Sequence, residues 1–373
     1  MDRLEQLRGR TPDMVEDLRE FVTVESPSSD VGATSRCIDV IAATGSKLLG
    51  HEPEIPRIDG RGHLLWRFGA STRVLLVGHL DTVWPRGTTD RWPFHVEGDR
   101  ASGPGTFDMK SGIVQALHGL TTVADLDGTT VLLTSDEELG SPTSSALIRE
   151  LASGAQAALI LEPAEGGALK TGRKGVTIYG IEIGGRAAHA GLEPEKGINA
   201  LIELAHQVTA LSAMADPAVG TSVTPTIGRA GTAANVVPAS ARIEVDVRAL
   251  TVAEQERIHR LMNTLEPHVD GATITVEGVP NRPPMEPAQS ASLFERARRL
   301  AGSLGIGPLH GVTVGGASDG NFTAAEGCPT LDGLGGVGGG AHAEGEHILV
   351  SEMAPRAALL ASLVEELLAE GSR

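Results

Sequence analysis

Cysteine is nearly absent from this 373-residue chain, which has only Cys37 and Cys328. One bridge cannot organise a chain of that length, so a disulfide scaffold is excluded and a reduced, cytoplasmic setting is expected. Aromatic residues make up 3% of the sequence, too few for the stacking platforms that grip single-stranded nucleic acid. Positive charge is in deficit: 31 Lys and Arg stand against 48 Asp and Glu, a formal net charge of −17. The acids run along the whole sequence instead of gathering in a tail, so no nucleic-acid partner is expected. No run approaches the roughly 18 uncharged apolar residues of a membrane helix. The opening residues MDRLEQLRGR also lack the apolar stretch of a signal peptide. Glycine, by contrast, is plentiful at 47 residues, placed in turns and one late cluster without a collagen-like period.

Apolar spacing of three and four predicts helices over 14–24 and 34–49. Short Leu- and Val-rich runs follow: HLLWRFG (63–69), RVLLVGH (73–79), TTVLLTS (129–135) and AALILEP (157–163). Helical segments at 110–124 and 143–153 separate several of them. This alternation predicts an α/β sheet, mostly parallel, with helices on both faces. The middle of the chain reads differently, as strand 175–185, helix 198–214, strands 222–230 and 241–250, helix 252–265 and strand 272–279. That order is the split β-α-β-β-α-β unit of a ferredoxin-like α+β domain. After the Pro-rich NRPPMEP (281–287), helix, strand and glycine-rich loops resume, ending in a helix at 354–370. The expected organisation is a discontinuous α/β domain, 1–174 plus 283–373, interrupted by an inserted domain, 175–282.

Charged residues gather at the ends of the expected strands. Strand 73–79 ends in His79-Leu80-Asp81, strand 129–135 leads into Asp136-Glu137-Glu138, and the run 157–161 ends at Glu162. Open α/β sheets place ligand sites at such carboxyl ends. Between them GPGTFDMKSG (103–112) presents Asp108 at a glycine turn just before a helix. Any one of these residues alone would pass as a cap, a core histidine or a loop acid. Together they pose a conflict, because clustered acids repel and are costly to bury without a cation. A metal centre resolves it, and histidine plus carboxylate is a ligand set suited to zinc.

VGHLDTVWPRG, GPGTFDMKSG, TSDEELGS, LEPAEG and GRAAHAG occur in that order. Together they resemble the zinc-dependent metallopeptidase family of bacterial glutamate carboxypeptidase, acetylornithine deacetylase, succinyl-diaminopimelate desuccinylase and aminoacylase. The likeness spans nearly the whole chain, and HLDTV together with LEP looks nearest to the glutamate carboxypeptidase branch. It implies a di-zinc exopeptidase-like domain with an inserted lid and dimerisation domain, two zinc ions (cobalt or manganese as substitutes) and a homodimer. Asp108 would bridge the two ions, His79 and Glu162 completing one site, Glu138 and His342 the other. His347, in the same GGGAHAEGEH segment, stays open as the alternative to His342. Asp81 would orient the His79 ring, and Glu137 would be the general base acting on the metal-activated water. His189 would steady the substrate carbonyl, while Asn235, Arg248 and Arg282 would bind substrate, arginine being the bidentate partner of a carboxylate.

The activity so implied is hydrolysis of an amide or peptide bond next to a free carboxylate, in a small peptide that loses its C-terminal amino acid, with glutamate as the candidate. The same chemistry on an N-acyl-amino acid gives the alternative, a deacylase. One departure stands out. Glutamate carboxypeptidases carry a basic residue shortly after the third-strand acid, and Lys170, Arg173 and Lys174 in GALKTGRKG do not align with it. Three rival readings explain less. Gly316 to Gly320 fits the G-x-S-x-G elbow of serine hydrolases through Ser318, but it leaves the upstream acids unexplained. GGVGGG (335–340) mimics a dinucleotide loop but lacks the following β-α-β unit and acid. A non-catalytic binding relative would have no need of an intact ligand set and base.

Overall fold

The N-terminal apolar runs form strands because each is short, rich in Val, Leu and Ile, and bounded by turn residues. The computed structural model describes residues 2–370. In it these runs are β1 (Leu64–Phe68), β2 (Val74–His79), β3 (Thr129–Thr134) and β4 (Ala157–Ile160). β2 pairs in parallel with both β3 and β4. β1 lies antiparallel on β3 at one edge, and Thr330–Leu331 runs parallel to β4 at the other. Successive side chains point to opposite faces, and both faces are buried. Leu64, Trp66, Leu76, Val131 and Leu159 enter one apolar cluster; Leu65, Leu75, Val77, Leu132 and Ile160 enter another. Helices Thr11–Thr23, Val31–Leu49, Ser111–Leu120 and Met353–Glu370 build the first cluster, and Ser145–Ala152 contributes to the second. This double covering is what a largely parallel sheet needs, and it matches the expected α/β class.

A small antiparallel sheet joins His95–Glu97, Arg100–Ser102, Gly338–Gly339 and His347–Leu349. These strands are two or three residues long, too short to leave a hydrophobic period in the sequence. The pairing ties the late glycine-rich segment to the loop that precedes Asp108.

Contacts divide the chain into two units. One holds the chain up to Gly172, Pro287–Val314 and the chain from Ser318 onward; the other holds Arg173–Glu286 with Gly315–Ala317. In the second unit β5 (Gly175–Gly184), β6 (Ser222–Ala230), β7 (Ser240–Ala249) and β8 (Thr273–Glu277) form an antiparallel sheet in the order β6-β7-β5-β8. Ala241, Ile243, Val245 and Val247 alternate along β7 into a core shared with Ile258 and Met262 of helix Val252–Asn263 and Leu211 of helix Ala200–Ser212. This is the split β-α-β-β-α-β arrangement, one face packed and one face open. Both cysteines are buried and unbonded. No helix among the described residues is long and apolar enough to cross a membrane.

One buried acid holds the second unit's connection together. Glu203 is fully buried and accepts hydrogen bonds from Gln207 Nε2 at 2.7 Å, His268 N at 2.8 Å and Val269 N at 2.7 Å. Burial pushes its carboxyl up, but those donors outweigh it and hold the group below its usual range. A depressed acid stabilises the fold above its unfolded pKa, near about 4.3, and that contribution is lost as pH falls through the folded value. Glu203→Ala should destabilise the second unit by about 2 kcal/mol in denaturant unfolding at neutral pH. The difference from wild type should shrink below about pH 4, whereas a pH-independent difference would contradict this account.

Candidate metal centre

The carboxyl ends of three strands deliver the charged residues. His79 closes β2, the turn after β3 carries Glu137 and Glu138, and β4 runs through Leu161 to Glu162. Asp108 arrives from the loop before helix Ser111–Leu120, and His342 from the glycine-rich segment, with a left-handed φ of 62°. They meet in one cluster. His79 Nε2 lies 3.2 Å from Asp108 Oδ1 and 3.5 Å from Glu162 Oε1. His342 Nε2 lies 3.3 Å from Asp108 Oδ2 and 3.0 Å from Glu138 Oε1. The two oxygens of Asp108 thus face two different histidines, each with a further carboxylate of its own. Two overlapping groups of potential ligand atoms result, His79/Asp108/Glu138 and His79/Glu137/Glu162, each lying within 4.8 Å of one another.

The electrostatics show what kind of charge the cluster calls for. Burial pushes the His79 imidazole down, but hydrogen bonds to Asp108, Asp81 and Glu162 carry it well above its ordinary value. His342 is raised to about 10 by Asp108 and Glu138. Asp108, although buried, is held well below the carboxylate range by the two histidines. Burial pushes Glu138 up. The carboxylates draw positive charge onto both imidazoles, and a pair of divalent cations would meet the same demand. Nitrogen and oxygen donors in this number fit zinc, so the donor set suits the group that the sequence implies.

Residues behind the cluster hold it in place. His79 Nδ1 lies 3.0 Å from the Asp81 carbonyl and 3.6 Å from its carboxylate. Donating to that carbonyl leaves Nε2 free for a metal. The Asp81 carboxylate, beside the ring, also accepts from the amides of Glu137 and Glu138, at 3.3 and 3.2 Å. Asp136 accepts from Thr143 N at 2.7 Å and Ser144 Oγ at 2.6 Å, which fixes the turn bearing both glutamates. Glu346 escapes a reading from sequence. It is fully buried and accepts from Gly105 N at 3.1 Å, Phe107 N at 2.8 Å, Asp108 N at 2.9 Å and Trp84 Nε1 at 2.8 Å. An acid among glycines in a loop looks solvated, and only the fold shows four donors converging on it. Glycine is required at 112 and 335, where an added Cβ would meet the Leu161 carbonyl at 2.1 and 2.2 Å.

The other expected site residues fall into separate places. Ala190 N donates to Asn235 O at 2.9 Å and His189 bridges Val236, so His189 and Asn235 are neighbours, both exposed. Val176 pairs with Arg248 on one side and bridges Arg282 on the other. Those arginines therefore share a row of the sheet, about 10 Å apart. Arg248 lies at the far end of β7 from Asn235, roughly 27 Å along the strand by its rise per residue. The Arg248 fork is already bidentate to Asp246, at 2.8 Å for both bonds. Lys170 Nζ sits 3.7 Å from Glu162 Oε2, turned toward the cluster. His347 points away from it, its Nδ1 2.9 Å from Arg100 Nη2. Ser318 is fully buried, donates to Asp332 Oδ2 at 2.8 Å and accepts from Gly320 N at 3.0 Å. It braces a turn and is no exposed nucleophile, so the serine-elbow reading fails.

The sequence model of peptidase family M20/M25/M40 matches residues 75–366. The chain is 31% identical to carboxypeptidase G2 of Pseudomonas sp. (strain RS-16), over 95% of this chain and 89% of that protein. It is 28% identical to succinyl-diaminopimelate desuccinylase of Sulfurovum sp. (strain NBC37-1), over 84% of this chain and 89% of that one. Among solved structures, the aminopeptidase PepT of Bacillus cereus ATCC 10987 shares the fold with a TM-score of 0.78. That match has 22% identity and covers 96% of this chain and 99% of its own.

Glu346→Gln exchanges one acceptor oxygen for an NH2 group opposite the amide donors of the Asp108 loop. Equilibrium zinc titration against a competing chelator should show affinity weakened by about 10- to 100-fold, with the far-UV spectrum unchanged. Undiminished zinc affinity would show that the loop holds its shape without that carboxylate.

Proposed function

The chain belongs to peptidase family M20/M25/M40, and on that premise we propose that it is a di-zinc exopeptidase of the carboxypeptidase type. It is an enzyme of the metallopeptidase and amidohydrolase class acting on small peptide or acyl-amino-acid substrates. The finer reading is cleavage of an amide bond next to a free carboxylate, with release of the C-terminal amino acid. The observation that carries the two-metal reading is the division of Asp108, one oxygen toward His79 and the other toward His342, while the carboxypeptidase type rests on the likeness to carboxypeptidase G2.

His79, Asp108 and Glu162 would hold one ion, and Asp108, Glu138 and His342 the other. Bound there, the metal pair would polarise the scissile carbonyl and make a water acidic enough to attack at neutral pH. Glu137 performs the proton transfers. It is nearly buried, its amide is pinned by Asp81, and its carboxylate lies within 4.8 Å of His79 and Glu162 donor atoms. It takes a proton from the attacking water and passes it to the leaving nitrogen. Arg248 and Arg282 offer the paired cationic row for the substrate carboxylate, Arg248 exchanging Asp246 for it. His189, with Asn235 beside it, is too far along the strand from Arg248 to meet the same substrate within one chain, so it would stabilise the carbonyl oxygen from the second subunit of the dimer as charge develops there.

The second unit serves as lid and as dimer contact in this reading. Support comes from β6, whose outer edge carries no partner strand among the described residues, and from the exposed Leu201, Ile202 and Ile227. The two unbonded thiols suit a reducing, cytoplasmic setting.

Hydrolysis of N-acyl-glutamates, dipeptides and N-acetyl-amino acids by the wild type, Glu137→Ala and Ser318→Ala tests the proposal. The wild type should release C-terminal amino acids and lose activity to a chelator. Glu137→Ala should retain its metal while kcat falls by about 10²- to 10⁴-fold, and folded Ser318→Ala should stay active. Preference for N-acetyl-amino acids would instead make the enzyme a deacylase, and chelator-insensitive activity would overturn the metal mechanism.

A further inference from the structure

Away from the metal cluster, the first unit keeps an uncompensated charge in its interior. Arg356 stands in the first turn of helix Met353–Glu370 and is 4% exposed. Its Nη2 donates to the Gly167 carbonyl, and its Nη1 is buried with no hydrogen-bond partner. Among the described residues the acid acting on it is Glu352, a turn earlier, and that pull acts through space. Burial pushes the guanidinium down to about 10, far below its ordinary value. A guanidinium tolerates burial when carboxylates or phosphates meet its fork, and none among the described residues does so here.

Arg356 also closes one side of a pocket of about 400 Å3, whose wall includes Arg8, Glu352, Gly167 and Val337. Two arginines against one glutamate make this wall cationic, on a chain whose net charge is −17. Among the described residues Arg8 pairs with Glu5, at 2.5 Å and exposed on both sides, which is a weak tie. No wall residue is a member of the metal cluster. Two of them nevertheless lie on the loops that serve it: Gly167 follows the segment leaving Glu162, and Val337 precedes the segment bearing His342. The loops are tied to each other by Ala164 N donating to Gly336 O at 2.9 Å.

We propose that this pocket binds a small oxyanion, a phosphate or a carboxylate, through the guanidinium of Arg356 with Arg8 as the second cation. The anion supplies the countercharge that Arg356 lacks, and its seat lies behind the two loops that present Glu162 and His342. The proposal is independent of the substrate assigned above, since it needs neither the metals nor Glu137.

Thermal unfolding of the metal-loaded enzyme tests it, with inorganic phosphate and acetate added separately against chloride at equal ionic strength. One or both anions should raise the wild-type midpoint in a saturable way, and whichever does so identifies the ligand chemistry. Arg356→Met should abolish that response, whereas phosphate bound at the metals would still act on this variant. Glu352→Gln, which removes the competing carboxylate, should lower the half-maximal concentration by roughly threefold. This second variant decides the matter if Arg356→Met does not fold. A response unchanged in Arg356→Met, no response to either anion, or a Glu352→Gln half-maximum equal to that of wild type would overturn the proposal.

Discussion

A carboxylate that serves two cations has no oxygen left with which to anchor itself, so its backbone must do the positioning. In the proposed centre Asp108 would be in that state, since each of its oxygens faces a different histidine. Its main chain is held by Glu346, which accepts from the amides of Gly105, Phe107 and Asp108. The constraint spreads outward from there. Glu346 precedes the strand His347–Leu349, which pairs with Arg100–Ser102, so the small sheet fixes the Asp108 loop and the His342 segment to each other. Helix Ser111–Leu120 continues directly from the loop and is buried along its whole length, so the loop cannot drift from the sheet it serves.

The central sheet meets the remaining need, which is to bring like charges together. Apolar clusters on both faces make β2, β3 and β4 rigid and dry, and their parallel direction ends all three on one side. His79, the Glu137–Glu138 turn and Glu162 are therefore forced into proximity whether or not their charges agree. The carboxylates draw both histidines toward their charged form, the same demand that bound cations would meet. The site therefore expresses the fold's geometry first and the donor chemistry second.

Much of this was legible in the sequence, for definite reasons. Val- and Leu-rich runs with short bounds give strands, and the switch to alternation in 175–184 marks a sheet with one open face. Acids and a histidine immediately after such runs mark the carboxyl ends, which is why His79, Glu138 and Glu162 were accessible to reading. Three features were not. Glu346 carries no local signal, because its donors come from residues far earlier in the chain. The orientation of Asp81 depends on the turn after β3 rather than on its own strand, so its carboxylate goes to the amides of that turn and its carbonyl to His79. Arg248 looked like an available cation, yet Asp246, two residues before it, takes both arms of its fork.

The central claim is that five side chains hold two metal ions with Asp108 shared between them. Glu137 makes the claim sharp, since its carboxylate lies close enough to His79 and Glu162 to be counted among potential ligands. Anomalous diffraction at the zinc edge from crystals of the zinc-loaded protein is the most direct measurement. The account predicts two peaks, one bonded to His79 and Glu162, the other to Glu138 and His342, both bonded to Asp108 and neither to Glu137. A single peak, or a peak with Glu137 in its coordination sphere, would contradict it.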